Sequence, residues 1–298
     1  MARLSNAQLA AQLAEFRQRC DGPPDLVVQY GQELITNGYA DQLGDEVWGF
    51  YEQLFVAALH TAHWALAQSC LDALHERFPS STRVRRLDGM LHEAKGNLDV
   101  AGQLYRGILE EDETNMLATK RQIAILKGRG RTQEAITALV AFLDTYHADQ
   151  EAWLELCDLY LSACMYAQAL FCVEEVILMQ PQNPGLHLKC AEILYTQDQV
   201  AMALKSYCRV VELSPTHTRA WYGVKLCATR LLRTSGTGGA NRGSAEAASV
   251  PKSAMLRDLD ALATDRLSAV YASTPAATRT DQPTVRTVVE AWLQAAST

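Results

Sequence analysis

Apolar positions in this chain recur with helical spacing, and no segment is rich in strand signals. Across 150–162, Trp153, Leu156, Cys157 and Tyr160 fall at i, i+3, i+4 and i+7. A second stripe follows in Ala169, Cys172, Val173, Val176 and Ile177. Pro181 cannot continue a helix. Asn183 then offers an N-cap and Pro184 a preset first helical position. The stretch 150–183 therefore predicts two antiparallel helices closed by a turn.

The same unit recurs. Ala67, Ala101, Ala135, Ala169 and Ala203 stand 34 residues apart. Four positions after each come Leu71, Tyr105, Leu139, Val173 and Tyr207, and seven after come Leu74, Ile108, Phe142, Val176 and Val210. The terminal proline recurs as Pro79, Pro181 and Pro215 and is replaced by Glu113 and His147. A small residue at the alanine position lets paired helices approach to roughly 8–10 Å. The order Trp, Leu, Tyr, Ala, Pro at this period is that of the tetratricopeptide (TPR) repeat. The pattern predicts an all-α TPR solenoid, a right-handed superhelix of helix-turn-helix repeats with helical N- and C-terminal caps.

The expected organisation is N-terminal capping helices over 1–47 and five repeats at 48–81, 82–115, 116–149, 150–183 and 184–217. A partial repeat helix over 218–233 follows, with Trp221 matching Trp153 after two periods. Residues 234–250, rich in Gly and Ser, read as a flexible loop, and 251–298 as a C-terminal helical pair. The first capping helix, 4–20, carries Leu9, Leu13, Phe16 and Cys20 on one face. That face suits either a membrane surface or, with only Arg17 and Arg19 as a basic cluster, the cover of the first repeat. The C-terminal stripes run through Leu256, Leu259, Leu262, Ala263, Leu267 and Val270, then Val285, Val288, Val289, Trp292 and Leu293. The second of these either caps the repeats or docks a partner.

Charge changes this picture little. With 27 basic and 34 acidic residues the net charge is −7, which does not favour nucleic acid. The longest apolar run, Leu54 to Leu59, is far short of a membrane span, and no secretory signal is expected at the N-terminus. Eight cysteines form no CxxC pair, and several lie on apolar stripes, so they read as reduced structural thiols. His60 and His63 lack further ligands at diagnostic spacing, and Gly236, Gly238 and Gly239 follow no strand. No catalytic residue, metal or cofactor is expected.

The inner face of such an array comes mainly from the first helix of each repeat. By pattern position it holds Arg83, Arg86, Met90, Glu93, Lys120, Lys127, Glu151, Leu154, Asp158, Glu192 and Tyr195. Its basic end falls in repeats two and three and its acidic end in repeats four and five. A polarised groove of this kind could hold a peptide with its acidic part near Arg83 and Lys120.

Several blocks are more specific than the period. LGDEVWGFYEQLFVAAL (43–59), FPSSTRVRRLDGMLHEA (78–94), QLYRGILEEDETN (103–115), DQEAWLELCDLYLSACMYAQALFCVEEV (149–176) and AEILYTQ (191–197) resemble the family of ER membrane protein complex subunit 2, in the same order over about 25–225. The resemblance implies a non-catalytic cytosolic TPR scaffold, peripheral on the cytoplasmic face of the endoplasmic reticulum and without a span of its own. It implies membrane-embedded and soluble subunits of the complex as partners, and an insertase for tail-anchored and multi-pass membrane proteins. Glu113, where the family tends to have proline, implies a looser corner between repeats two and three. The alternative is a soluble TPR co-chaperone that grips an acidic chaperone C-terminal peptide through Arg83, Arg86 and Lys120.

Overall fold

Five turns set the architecture of the computed structural model, which describes residues 5–19, 21–236, 251–272 and 285–297. Ala62, Gly96, Gly130, Cys164 and Asp198 are 34 residues apart, and all have positive φ, at 58°, 82°, 71°, 58° and 67°. At each, the following residue donates its N–H back to the carbonyl five residues before it: His63 to Ala58, Asn97 to His92, Arg131 to Leu126, Met165 to Tyr160 and Gln199 to Leu194. This left-handed cap satisfies the last carbonyls of one helix and reverses the chain into the next. Alanine pays for that conformation in steric strain, so Ala62→Gly is expected to raise stability by about 1 kcal/mol, read from a urea titration.

The turns join helices of nearly constant length. The pairs are α3 (Glu46–His60) with α4 (Trp64–Arg77), α5 (Thr82–Ala94) with α6 (Leu98–Glu111), α7 (Met116–Gly128) with α8 (Thr132–Thr145), α9 (Gln150–Ser162) with α10 (Tyr166–Met179), and α11 (Pro184–Thr196) with α12 (Val200–Leu213). α1 (Asn6–Arg19) and α2 (Pro24–Thr36) precede them. α13 (Thr218–Gly236), α14 (Ser253–Ala272) and α15 (Val285–Ser297) follow. The fold is all-α and of TPR type. The periodic alanines are all completely buried, and the residues four and seven positions after each are buried with them. Two glycines mark still closer approaches. A Cβ on Gly89 would lie 2.5 Å from Tyr105 Cε1, and one on Gly223 would lie 2.4 Å from Tyr207 Cε1.

The first helix of each later repeat is tied to the turn before it by one recurring bond. Trp153 Nε1 donates to the His147 carbonyl (2.8 Å), His187 Nε2 to Pro181 (2.9 Å) and Trp221 Nε1 to Pro215 (2.8 Å). The corner that lacks proline at Glu113 is closed by side-chain hydrogen bonds. Asp112 Oδ1 accepts from Thr114 N (3.1 Å) and Thr114 Oγ1 (2.7 Å), and Asn115 Oδ1 caps α7 at Ala118 N (3.1 Å).

The chain divides into two units, Met1–Ala135 and Ile136–Thr298. In the first, Leu9 and Leu13 of α1 are buried and Phe16 packs on the core shared with Leu34, Leu54 and Phe55. The apolar face of α1 thus covers its own unit rather than facing a membrane. Cys20 lies outside the described residues. In the second unit, α13 runs to Gly236, past the expected end at 233, and Thr234 Oγ1 donates back to the Arg230 and Leu231 carbonyls (both 3.0 Å). Leu256, Ala263 and Leu267 of α14 are buried, whereas Leu262 and Val270 are exposed. On α15, Val289 and Leu293 are buried and Trp292 stacks edge-on to Tyr222 of α13 (5.2 Å), while Val285 and Val288 are exposed. Trp292, Val289 and Leu293 of the stripe therefore pack within the unit, and Val285 and Val288 do not. The remainder of the expected Gly/Ser loop and the turn after α14 lie outside the described residues.

Burial pushes the Cys70, Cys172 and Cys227 thiols up to about 12, so they stay protonated and enclosed at neutral pH. Cys164 is exposed on its turn. Iodoacetamide is expected to alkylate Cys164 in the folded protein and to spare these three until urea is added, as read site by site from peptide masses. No described helix is long and apolar enough to cross a membrane.

Candidate partner-binding faces

Charges on the first helices are largely matched between neighbouring repeats. In the first unit Arg83 bridges Glu52 at two points, Nε to Oε1 (3.0 Å) and Nη2 to Oε2 (2.6 Å), and Arg121 Nη1 meets Glu93 Oε2 (3.4 Å). In the second, Lys189 Nζ meets Asp158 Oδ1 (2.6 Å) and Arg219 Nε meets Glu192 Oε1 (2.6 Å). Arg230 pairs with Asp198 and places its guanidinium 5.5 Å from the centre of the Tyr195 ring. Partners lie close to one period apart in sequence, so each pair spans adjacent repeats. Most are exposed and each is worth only about 0–1 kcal/mol. Their larger consequence is to cancel charge that a count along the sequence assigns to the faces.

The structure distributes the expected face residues as follows. Arg83 is exposed and Arg86 half-buried on α5, where Met90 packs against the core of the first unit. Lys120 is half-buried and Lys127 exposed on α7. Glu151 and Asp158 are exposed and Leu154 half-buried on α9; Glu192 and Tyr195 are half-buried on α11. Arg83 and Arg86 line one pocket together. It has a volume of about 400 Å³ and is lined by Thr82, Arg83, Arg86, Asn115 and Leu117. Thr82, Asn115 and Leu117 escape the sequence reading, although Asn115, three residues before the buried Ala118, is recognisable as an N-cap.

Arg86 differs from its neighbours. No described carboxylate lies within ion-pair distance of it. Its pKa is lowered first by burial and then by the positive charges of Arg83 and Arg121, with Glu52 offsetting them in part. A guanidinium remains charged regardless. Nearby, the Tyr105 hydroxyl is buried without a hydrogen-bond partner at normal distance, and burial together with the adjacent Glu93 carboxylate raises its pKa.

Known proteins share this architecture and, in part, this sequence. The described fold is similar to the C-terminal part of a TPR repeat-containing protein from Cytophaga hutchinsonii, with a TM-score of 0.56 at 15% identity, covering 83% of this chain and 96% of that one. Residues 64–207 match the family described as the EMC2 TPR-like repeat domain. The chain is 37% identical over 223 residues to TPR repeat protein oca3 of Schizosaccharomyces pombe, covering 72% of this chain and 78% of the relative. It is 41% identical over 208 residues to ER membrane protein complex subunit 2-A of Xenopus laevis, covering 69% of this chain and 70% of that relative. An identity of that order over more than two thirds of both chains, with the repeat family matched over 64–207, means that the chain belongs to the ER membrane protein complex subunit 2 family.

Proposed function

We propose that this protein is a non-catalytic scaffold subunit of an ER membrane protein complex, peripheral on the cytoplasmic face. In this reading it organises membrane-embedded and soluble subunits of an insertase for tail-anchored and multi-pass membrane proteins. Family membership is the observation that carries the reading. The architecture supports it: repeated helix pairs with buried alanines present long first-helix faces, and such faces serve extended partners. The half-buried Arg86 and the exposed Phe171, Leu178 and Met202 are polar and apolar contact points of the kind a multi-subunit assembly covers.

Fractionation tests the location. The reading expects the protein to sediment with microsomes, to leave them in alkaline carbonate, and to be digested by protease added to intact microsomes. Resistance to carbonate, or protection from protease until detergent is added, contradicts it.

A further inference from the structure

The turns of the first unit place unlike charge at the two ends of its helices. Those at Ala62, Gly96 and Gly130 follow one edge: Lys95 Nζ reaches Gln68 Oε1 just past the first (3.5 Å), and Arg129 Nη2 reaches Asp99 Oδ1 just past the second (2.5 Å). In or beside these turns stand Lys95, Lys127, Arg129 and Arg131, with Asp99 and Glu134 as acids of the following first turns. The corner at the far end of α6 is instead a run of acids, Glu110, Glu111, Asp112 and Glu113. On the basic edge a cavity of about 250 Å³ opens between α6 and α7, where Arg106, Arg129, Arg131 and Gln122 gather beside Ile125 and Leu126. Arg106 Nε donates to the Gly102 carbonyl of its own helix (3.3 Å), and no described carboxylate pairs with it. Arg131 Nε meets Glu134 Oε1 at 2.6 Å. Glu134 and Asp99 are exposed, Asp99 at 90%, so their pairs with Arg131 and Arg129 are weak and yield to a stronger acceptor. A phosphate is such an acceptor, since it takes two N–H donors from one guanidinium. Apolar side chains share the edge. Trp64, the first residue of α4, is 38% exposed, and Val100, in the first turn of α6, is exposed as well. Tryptophan favours the boundary between water and hydrocarbon, and clustered basic residues favour a negatively charged lipid surface. Nucleic acid would match the arginines but leave the aliphatic Val100 without a purpose.

We propose that this edge lies against an anionic phospholipid surface, with headgroup phosphate held at Arg106, Arg129 and Arg131 and with Trp64 at the acyl boundary. The proposal rests on the peripheral membrane location read above. It goes further in stating that the chain touches lipid directly and in one orientation, with the acidic corner at Glu110–Glu113 turned away.

The test is cosedimentation of the full chain with vesicles of phosphatidylcholine, alone or mixed with phosphatidylserine. The wild-type protein is expected to bind the mixed vesicles, to bind the neutral ones about tenfold or more weakly, and to be released by added salt. Arg106→Gln is expected to weaken binding to the mixed vesicles about fivefold, and the triple variant with Arg129→Gln and Arg131→Gln about tenfold or more. Arg106 is exposed, so Arg106→Gln is expected to melt as wild type does, and it carries the test if the triple variant does not fold. Glu110→Gln with Glu113→Gln makes the chain less acidic at the other edge and is expected to leave binding unchanged. Lipid brominated in its acyl chains is expected to quench the tryptophan fluorescence of the wild type and to quench that of Trp64→Phe much less. Equal binding to neutral and mixed vesicles overturns the proposal, as does equal binding by wild type and the arginine variants. Tighter binding by the Glu110 and Glu113 variant would show that net charge alone is read, and equal quenching in Trp64→Phe that this edge does not meet the lipid; either overturns it. Tighter binding to an RNA oligonucleotide than to the mixed vesicles, lost in the same arginine variants, assigns the cavity to nucleic acid and overturns it too. The vesicles hold no other subunit, so failure here leaves complex membership standing, which copurification from cells reads separately.

Discussion

Asp260→Ala is expected to destabilise the second unit by about 3–5 kcal/mol, the effect of removing one partner of a buried ion pair. Lys225 lies on α13 with a fully buried side chain. Its ammonium meets Asp260 Oδ2 of α14 at 2.8 Å and Thr264 Oγ1 at 2.9 Å, and Thr229 Oγ1 donates to the other Asp260 oxygen at 3.1 Å. One and two periods earlier, the position of Lys225 is held by the small residues Ala191 and Cys157, which admit a following helix of the same repeat. At Lys225 the neighbour is instead α14, which brings a carboxylate. Removing Asp260 leaves the ammonium one hydroxyl partner among those just named, in a site closed to solvent. Replacing both groups by apolar residues, Lys225→Met with Asp260→Leu, is expected to restore most of the loss, because desolvation of the pair is then no longer required. Urea unfolding gives the energy, and hydrogen exchange over α13 and α14 gives the location. A loss below about 1 kcal/mol would mean that the ammonium reaches water by a rotamer change and that the pair does not pin α14.

Ala169→Leu is the next largest, at about 1–3 kcal/mol. Ala169 is completely buried on α10, on the face with Cys172, Val173 and Val176, and α10 is packed between α9 and α11. The added carbons have no free volume to enter, so the helices must separate or the side chain must leave its rotamer. Leu178, on the same helix but 77% exposed, serves as control: Leu178→Ala is expected to stay within about 0.5 kcal/mol. Equal effects at the two sites would mean that the 34-residue register is wrong.

The register itself was legible because one small residue recurs where two helices must approach, and only sterics sets that choice. The turns were less so. Gly96 and Gly130 signal a left-handed residue, but Ala62, Cys164 and Asp198 adopt the same φ with no glycine to announce it; the turn is imposed by the helices on either side. The faces were legible as lists of residues and not as electrostatics. Asp158 and Glu192 look like an acidic end until Lys189 and Arg219, each nearly one period away, fold onto them. Which guanidinium stays unpaired is decided by geometry between repeats: Arg83 finds Glu52, while Arg86, three residues on, does not. A Gly/Ser run reads as a loop and puts the end of α13 at 233, whereas the helix continues to Gly236.

The most direct test of the account is affinity purification of the tagged protein from gently solubilised membranes, with the associated proteins identified and quantified by mass spectrometry. A scaffold subunit predicts recovery of several ER membrane subunits in fixed ratio to the bait. Recovery of cytosolic chaperones alone, with no membrane-embedded subunit, contradicts it.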